Sequence, residues 1–135
     1  MNIFNYTKCA FAYIWFDNKL MLSRRLGKSF KNYYSCAGGK IEKKENILDG
    51  LKREIKEECN LNICKNSINL IDCYLLSHRN PPKKIFIFEI KLFKKDFKDV
   101  LNLEPHKHSN WKLFTKKDAL KLKLMPHIKL YLINL

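Results

Sequence analysis

Arginine is scarce in this chain: Arg24, Arg25, Arg53 and Arg79 are the four among 27 basic residues. A surface selected for nucleic acid would concentrate arginine and aromatic residues on one element. The net charge of +14 therefore reads mainly as solvating lysine, with a few lysines serving phosphates. Glycine and proline are also few, four of each, which argues against fibrous or disordered chains, and no repeat, linker or low-complexity tract interrupts the sequence. The five cysteines, Cys9, Cys36, Cys59, Cys64 and Cys73, are odd in number and form no C-x-x-C pair. Neither a disulfide framework nor a zinc site is indicated, and buried or partly buried thiols in a reducing compartment are expected. The apolar run CAFAYIWF is far shorter than the roughly 20 residues that span a bilayer. What is present, 135 residues with 46% hydrophobic and 30% charged, suits one folded domain over 1–135 with a real core, expected to be soluble and cytoplasmic.

Hydrophobic patterning gives a coarse order of elements. KCAFAYIWF and LMLSRR flank Asp17-Asn18-Lys19 and read as a hairpin with Asn18 in its turn. Residues 27–35 form a polar, basic loop leading to Gly38 and Gly39, where paired glycines let backbone approach a ligand closely. Ile47, Leu48, Leu51 and Ile55 recur at helical spacing from Glu45 to about Cys59. Asn60 stands where a left-handed cap is wanted, and Gly50 inside the helix implies close packing. One or two strands follow over 61–76, with a turn near Asn66. KIFIFEIKLF at 84–93 reads as a central strand, NWKLF as a short one. Thr115 to Asp118 resembles a capping box opening a helix to about Lys123, and Pro126 suits the first position of a last helix. An α/β (α+β) architecture results, a mixed sheet with helices on its two faces.

The chemistry is concentrated in GKIEKKENILDGLKREIKEECNL, residues 39–61. If Glu45 opens a helix, Glu54, Glu57 and Glu58 fall within an arc of roughly 100°. Like charges so close repel by a few tenths of a kcal/mol per pair, so a cation is their natural partner. Oxygen donors point to Mg²⁺ or Mn²⁺ rather than zinc.

Gly39, Glu45, Arg53, Glu54, Ile55, Glu57, Glu58 and Leu61 closely resemble the Nudix box, G-x5-E-x7-R-E-U-x-E-E-x-G-U, in which U is aliphatic. Asn60 replaces its glycine, and Ala37 stands before the box where many members have proline. The resemblance implies an α/β/α sandwich around a mixed sheet, and a Mg²⁺-dependent attack of water on a nucleoside diphosphate linked to a further group, with Mn²⁺ as a substitute. It makes Glu54, Glu57 and Glu58 metal ligands, with the Gly38 carbonyl as an additional one, and gives Glu45 and Arg53 a structural role beside Gly39. Residues 102–114, NLEPHKHSNWKLF, are similar to the N-L-E-P-x-K-x-x-x-W-x-W-F stretch of small MutT-type nucleoside triphosphate pyrophosphatases. That likeness makes Glu104 a metal ligand or general base.

Trp111 and Phe114 are candidates to stack on a base, and their alternation allows at most one of them into a pocket. Arg24 and Lys40 are candidate phosphate contacts. His106 and His108 alternate in a loop, but a loop pair with no further ligand nearby does not make a zinc site. The expected substrate is a free NTP or dNTP, oxidised forms included, cleaved to NMP and pyrophosphate. Competing readings are RNA 5′ ends, favoured if Lys28, Lys31, Lys83, Lys84, Lys94 and Lys95 converge on the pocket, dinucleoside polyphosphates, and a nucleotide-binding module without catalysis. No membrane partner is expected, and monomer and homodimer are both open.

Overall fold

The unbroken apolar stretch after Lys8 makes a strand buried on both faces, and the rest of the sheet is built around it. The computed structural model describes residues 6–135. Strand β1, Thr7–Phe16, pairs in parallel with β6, Lys83–Leu92, in register from Thr7↔Lys83 to Phe16↔Leu92. Its other edge is divided. Cys9 to Ala12 pair antiparallel with β4, Ala37–Lys40, whereas Trp15 and Phe16 pair with β2, Lys19–Arg24. The hairpin turn is Asp17-Asn18 as expected, with Asp17 in the left-handed region at φ 56°. Beyond β2 lie β3, Tyr34–Ser35, and β7, Lys112–Phe114. β5, Ile68–Leu76, closes the other side against β6, so the 84–93 segment is the interior strand its pattern indicated.

Two apolar clusters cover the two faces. On one, α1, Ile47–Cys59, sets Leu51, Ile55 and Cys59 against Ala10, Ala12 and Ile14; Leu51 and Ile55 each contribute about 2 kcal/mol by burial. On the other, α2, Lys116–Ala119, and α3, Pro126–Ile133, place Ala119, Ile128 and Leu132 with Tyr13, Trp15, Leu20 and Leu22. Two helical layers around a mixed sheet give the α/β/α sandwich. Among the described residues no helix is long and apolar enough to cross a membrane.

Several local expectations change. Glu45 lies outside α1; Asn46 is the cap, its side chain accepting from the Asp49 amide at 2.8 Å, an Asn-x-x-Asp signal that the register of the glutamates obscured. The helix at Thr115 stops at Ala119, well short of Lys123. Cys9, Cys36 and Cys59 are buried, but Cys64 and Cys73 are exposed, and all five are free thiols. A Cβ on Gly50 would stand 2.6 Å from Ile41 Cδ1 and 2.8 Å from Glu45 Oε1, which explains glycine inside the helix.

Asn60 ends α1 at φ 62°, ψ 27°. Its Nδ2 also donates to the Asp99 carbonyl at 3.2 Å, a tether that glycine lacks. Asn60→Ala is expected to lower stability by about 1–2 kcal/mol through the left-handed backbone, and Asn60→Gly by less. Chemical denaturation ranks the two; equal stability of all three proteins would contradict this account.

Candidate functional site

Arg53, in the middle of α1, gathers the acidic residues around it. Its Nη2 and Nε donate to the Glu45 carboxylate at 2.7 and 3.2 Å, and Nη2 also donates to the Lys40 carbonyl at 3.0 Å. Nη1 reaches Glu54 at 3.1 Å and Glu57 at 3.3 Å. The paired bonds to Glu45 are the strong kind, and they hold the Glu45 carboxyl below the ordinary carboxylate range. Glu45 in turn accepts from the Glu42 amide at 2.7 Å. One guanidinium thus fastens the loop before α1 to the helix.

β4 supplies the floor. The Gly38 amide donates to Glu58 Oε1 at 2.9 Å, and Gly38 has φ +143°, with Ala10 O only 2.3 Å from where a Cβ would stand. At Gly39 a Cβ would meet the Glu54 carboxyl at 2.7 Å. Gly39 therefore clears the space that the Glu54 carboxyl occupies, and Gly38 lets β4 lie against β1 while its amide holds Glu58, one helical turn from Glu54. Burial raises the carboxyl of Glu54. That of Glu58 is pushed up to about 8, chiefly by burial and then by Glu54 and Glu104, against the lowering effect of the Gly38 amide. Among the described residues no cationic side chain bonds Glu58, whereas Arg53 pairs with Glu54 and Lys107 with Glu104.

The loop from Asn102 to Ser109 forms the opposite wall. Backbone bonds Leu26 N to Lys107 O and Ser109 N to Arg24 O, both 2.9 Å, pin it to the chain beyond β2. The Asn102 side chain braces it from inside, donating to the His108 carbonyl at 2.8 Å and accepting from the Glu104 amide at 3.0 Å. Glu104 accepts from Lys107 Nζ at 3.0 Å. A carboxylate oxygen from each of Glu58 and Glu104 and a ring nitrogen of His108 lie within 4.8 Å of one another. Sequence reading missed His108 because its would-be partners are fifty and four residues away.

These elements enclose a cavity of about 550 Å³, within the range for small-molecule sites. Glu54, Glu58, Glu104, Gly38, Gly39 and Lys40 all line it. A larger groove of about 640 Å³ on the α3 face is lined by Tyr13, Tyr74, His127 and Tyr131, but its one acidic group is Asp72, so chemistry favours the smaller cavity. His127 Nδ1 and the Tyr13 hydroxyl share a 2.7 Å hydrogen bond there, and burial lowers the His127 pKa to about 4.

Three expected site residues are placed differently. Glu57 is 52% exposed and does not line the cavity. Arg24 is turned away and bonds Asn32 at 2.8 Å; Ser23 and Arg25, which share a face by strand alternation, line the cavity instead. Trp111 reaches the wall, but it is 6% exposed, its indole N–H donates to the Glu58 carbonyl at 3.1 Å, and its ring packs 4.7 Å from that of His108. It is a core residue that supports α1 rather than an open stacking surface. Phe114 packs in the other core. None of the six lysines at 28, 31, 83, 84, 94 and 95 lines the cavity; Lys40 and Lys107 do.

A family model, the NUDIX domain, matches residues 6–134. No curated protein matches by sequence. Among solved structures, the chain is similar to a MutT NUDIX hydrolase from Burkholderia pseudomallei, at 19% identity and TM-score 0.79 over 96% of this chain and 97% of that one. It is also similar to an Ap4A hydrolase from C. elegans, at 22% identity and TM-score 0.69 over 94% and 93%. A MutT protein from Methanosarcina mazei Go1 gives 17% identity and TM-score 0.72 over 96% and 91%.

Proposed function

This chain belongs to the NUDIX family and is a hydrolase acting on pyrophosphate bonds; from that premise we propose that it converts nucleoside triphosphates to NMP and pyrophosphate with Mg²⁺. The observation that carries the reading is the convergence of Glu54 and Glu58 from α1 with Glu104 from the 102–109 loop over glycine backbone. The donor set fits a hard divalent cation: three carboxyl groups meet at the cavity, Glu58 is desolvated, and the cationic side chains bonded to the other two are Arg53 on Glu54 and Lys107 on Glu104. Glu54, Glu58 and Glu104 would hold it, with Glu57 and the Gly38 carbonyl as further ligands. Such an ion, when bound, neutralises phosphate oxygens and lowers the pKa of water.

The chain's own residues do the positioning. Arg53 fixes Glu54 and Glu57 in place. Lys40, Arg25 and Lys107 offer positive charge to phosphates at the cavity wall. Glu104 is the candidate proton acceptor, because it stands on the loop facing the helix and reaches the acidic pocket from the other side. Free triphosphate is favoured over RNA ends by the likeness of residues 102–114 to MutT-type enzymes, and by the absence of the six loop and strand lysines from the wall.

A nucleotide panel with separate detection of pyrophosphate and orthophosphate, at two salt concentrations, tests this. Pyrophosphate release from NTPs or dNTPs, with weak salt dependence, is expected. Activity confined to dinucleoside polyphosphates, such as the substrate in the name of the C. elegans neighbour, or to RNA ends with steep salt dependence, would overturn it. No release from any member of the panel would revive a binding module.

A further inference from the structure

Among the described residues, one buried side-chain atom lacks a hydrogen-bond partner, and it is His108 Nε2. The residue is 7% exposed. Its other ring nitrogen, Nδ1, lies 3.1 Å from the Ser109 carbonyl. A carbonyl only accepts, so Nδ1 carries the proton and Nε2 presents a bare lone pair. An acceptor buried without a partner is destabilising, and the loop holding it is braced at Asn102, Lys107 and Ser109.

We propose that His108 Nε2, Glu58 and Glu104 together form a mixed imidazole and carboxylate site that binds divalent transition ions more tightly than Mg²⁺, with Mn²⁺ as the ion that probes it. This rests on the reading of the cavity as a metal-dependent centre and adds to it a nitrogen donor and the order of affinity that follows. Donors around one such ion stand roughly 3–4.4 Å apart, from bonds of about 2.0–2.2 Å. A ring nitrogen of His108 and one carboxylate oxygen each of Glu58 and Glu104 lie within 4.8 Å of one another, close to that spacing. Oxygen donors alone suit Mg²⁺ and Mn²⁺ alike, whereas an added imidazole nitrogen strengthens the site for transition ions and not for Mg²⁺. The carbonyl on Nδ1 is the usual outer partner that orients a ligating histidine. The Gly38 amide uses Oε1 of Glu58 and leaves its other oxygen free. Lys107, whose side chain is 61% exposed, holds Glu104 and can swing to solvent when an ion arrives. His106, exposed on the same loop, lines the cavity but is not among the three residues whose donor atoms converge.

Pulsed EPR of metal-free protein loaded with Mn²⁺ alone is the test. The wild type should show coupling to a histidine nitrogen that changes on ¹⁵N-histidine labelling, persists in His106→Asn and vanishes in His108→Asn. By calorimetry, His108→Asn should lose Mn²⁺ affinity by about tenfold or more and Mg²⁺ affinity by less than about twofold. The labelled wild type keeps the test decisive if the variant fails to fold. Mn²⁺ bound without nitrogen coupling overturns this proposal and leaves the carboxylate centre standing. No binding of either ion overturns both.

Discussion

Glu58→Gln is expected to lower turnover about a thousandfold, a loss of several kcal/mol of barrier stabilisation, while the metal-free protein becomes more stable at pH 8. The first effect follows if Glu58 holds the ion. The second follows from its burial. The Glu58 carboxyl is pushed up to about 8 in the folded chain, against an ordinary value of 4.5. Between those values the folded state binds more protons than the unfolded one, so metal-free stability falls as pH rises through that window. Gln keeps an acceptor for the Gly38 amide and cannot ionise. The variant should therefore lack this decline and gain on the order of 2–4 kcal/mol at pH 8. Divalent ions should raise the wild-type melting temperature at pH 8 and leave the variant nearly unmoved. Scanning calorimetry from pH 5 to 8, with chelator and then with Mg²⁺, separates the two terms; parallel curves for both proteins would sink the assignment.

Gly38→Ala is expected to cost about 4 kcal/mol or more, combining backbone strain with a clash that cannot relax. The φ of +143° disfavours any side chain, and the added Cβ would meet Ala10 O at 2.3 Å and Phe11 Cα at 2.6 Å. Those atoms belong to β1, whose other edge is locked to β6. They cannot retreat without disrupting the sheet. Gly27→Ala is the control, since nothing lies within 4 Å of its Cβ position, and it should be close to neutral. Urea midpoints decide the matter; comparable midpoints for the two variants would contradict it. The loss here is of the fold, whereas Glu58→Gln loses turnover alone.

The parts of this molecule that were readable in advance are those governed by local rules. Helical spacing from Ile47 to Ile55, the left-handed Asn60 and the hairpin at Asp17-Asn18 each follow from conformational preferences of a few neighbouring residues. Arg24, expected at the phosphates, lies outside the cavity that Arg25 lines; β2 is buried at every position from Leu20 to Ser23, and a strand covered on both faces has no polar alternation to reveal which side faces the cavity. Trp111 was misplaced for a related reason. An aromatic on a short strand gives no sign of which helix end its N–H will find. The acid cluster on α1 points to a cation by its repulsion alone, whereas His108 joins Glu58 and Glu104 only through tertiary packing. A motif on one helix shows half of a site whose other half arrives on a distant loop.

The parallel register of β1 with β6 bears on how the chain acquires its structure. Thr7 pairs with Lys83 and Phe16 with Leu92, so the strand that seats Gly38 and Gly39 lacks its neighbour until most of the chain is available. Contacts this distant in sequence must meet the cost of loop closure before they return stability, and they slow folding. Residues 39–61 cannot mature as a local unit. During synthesis β1 and α1 emerge well before β6, and the loop bearing Glu104 and His108 emerges later still. The acidic helix therefore spends its early life open to water, its carboxyl groups normally ionised, and becomes desolvated only when the sheet closes. A divalent ion already captured by Glu54 and Glu58 at that stage would ease the closing step, so refolding should be faster with Mn²⁺ present from the start than in chelator, and equal rates would contradict this.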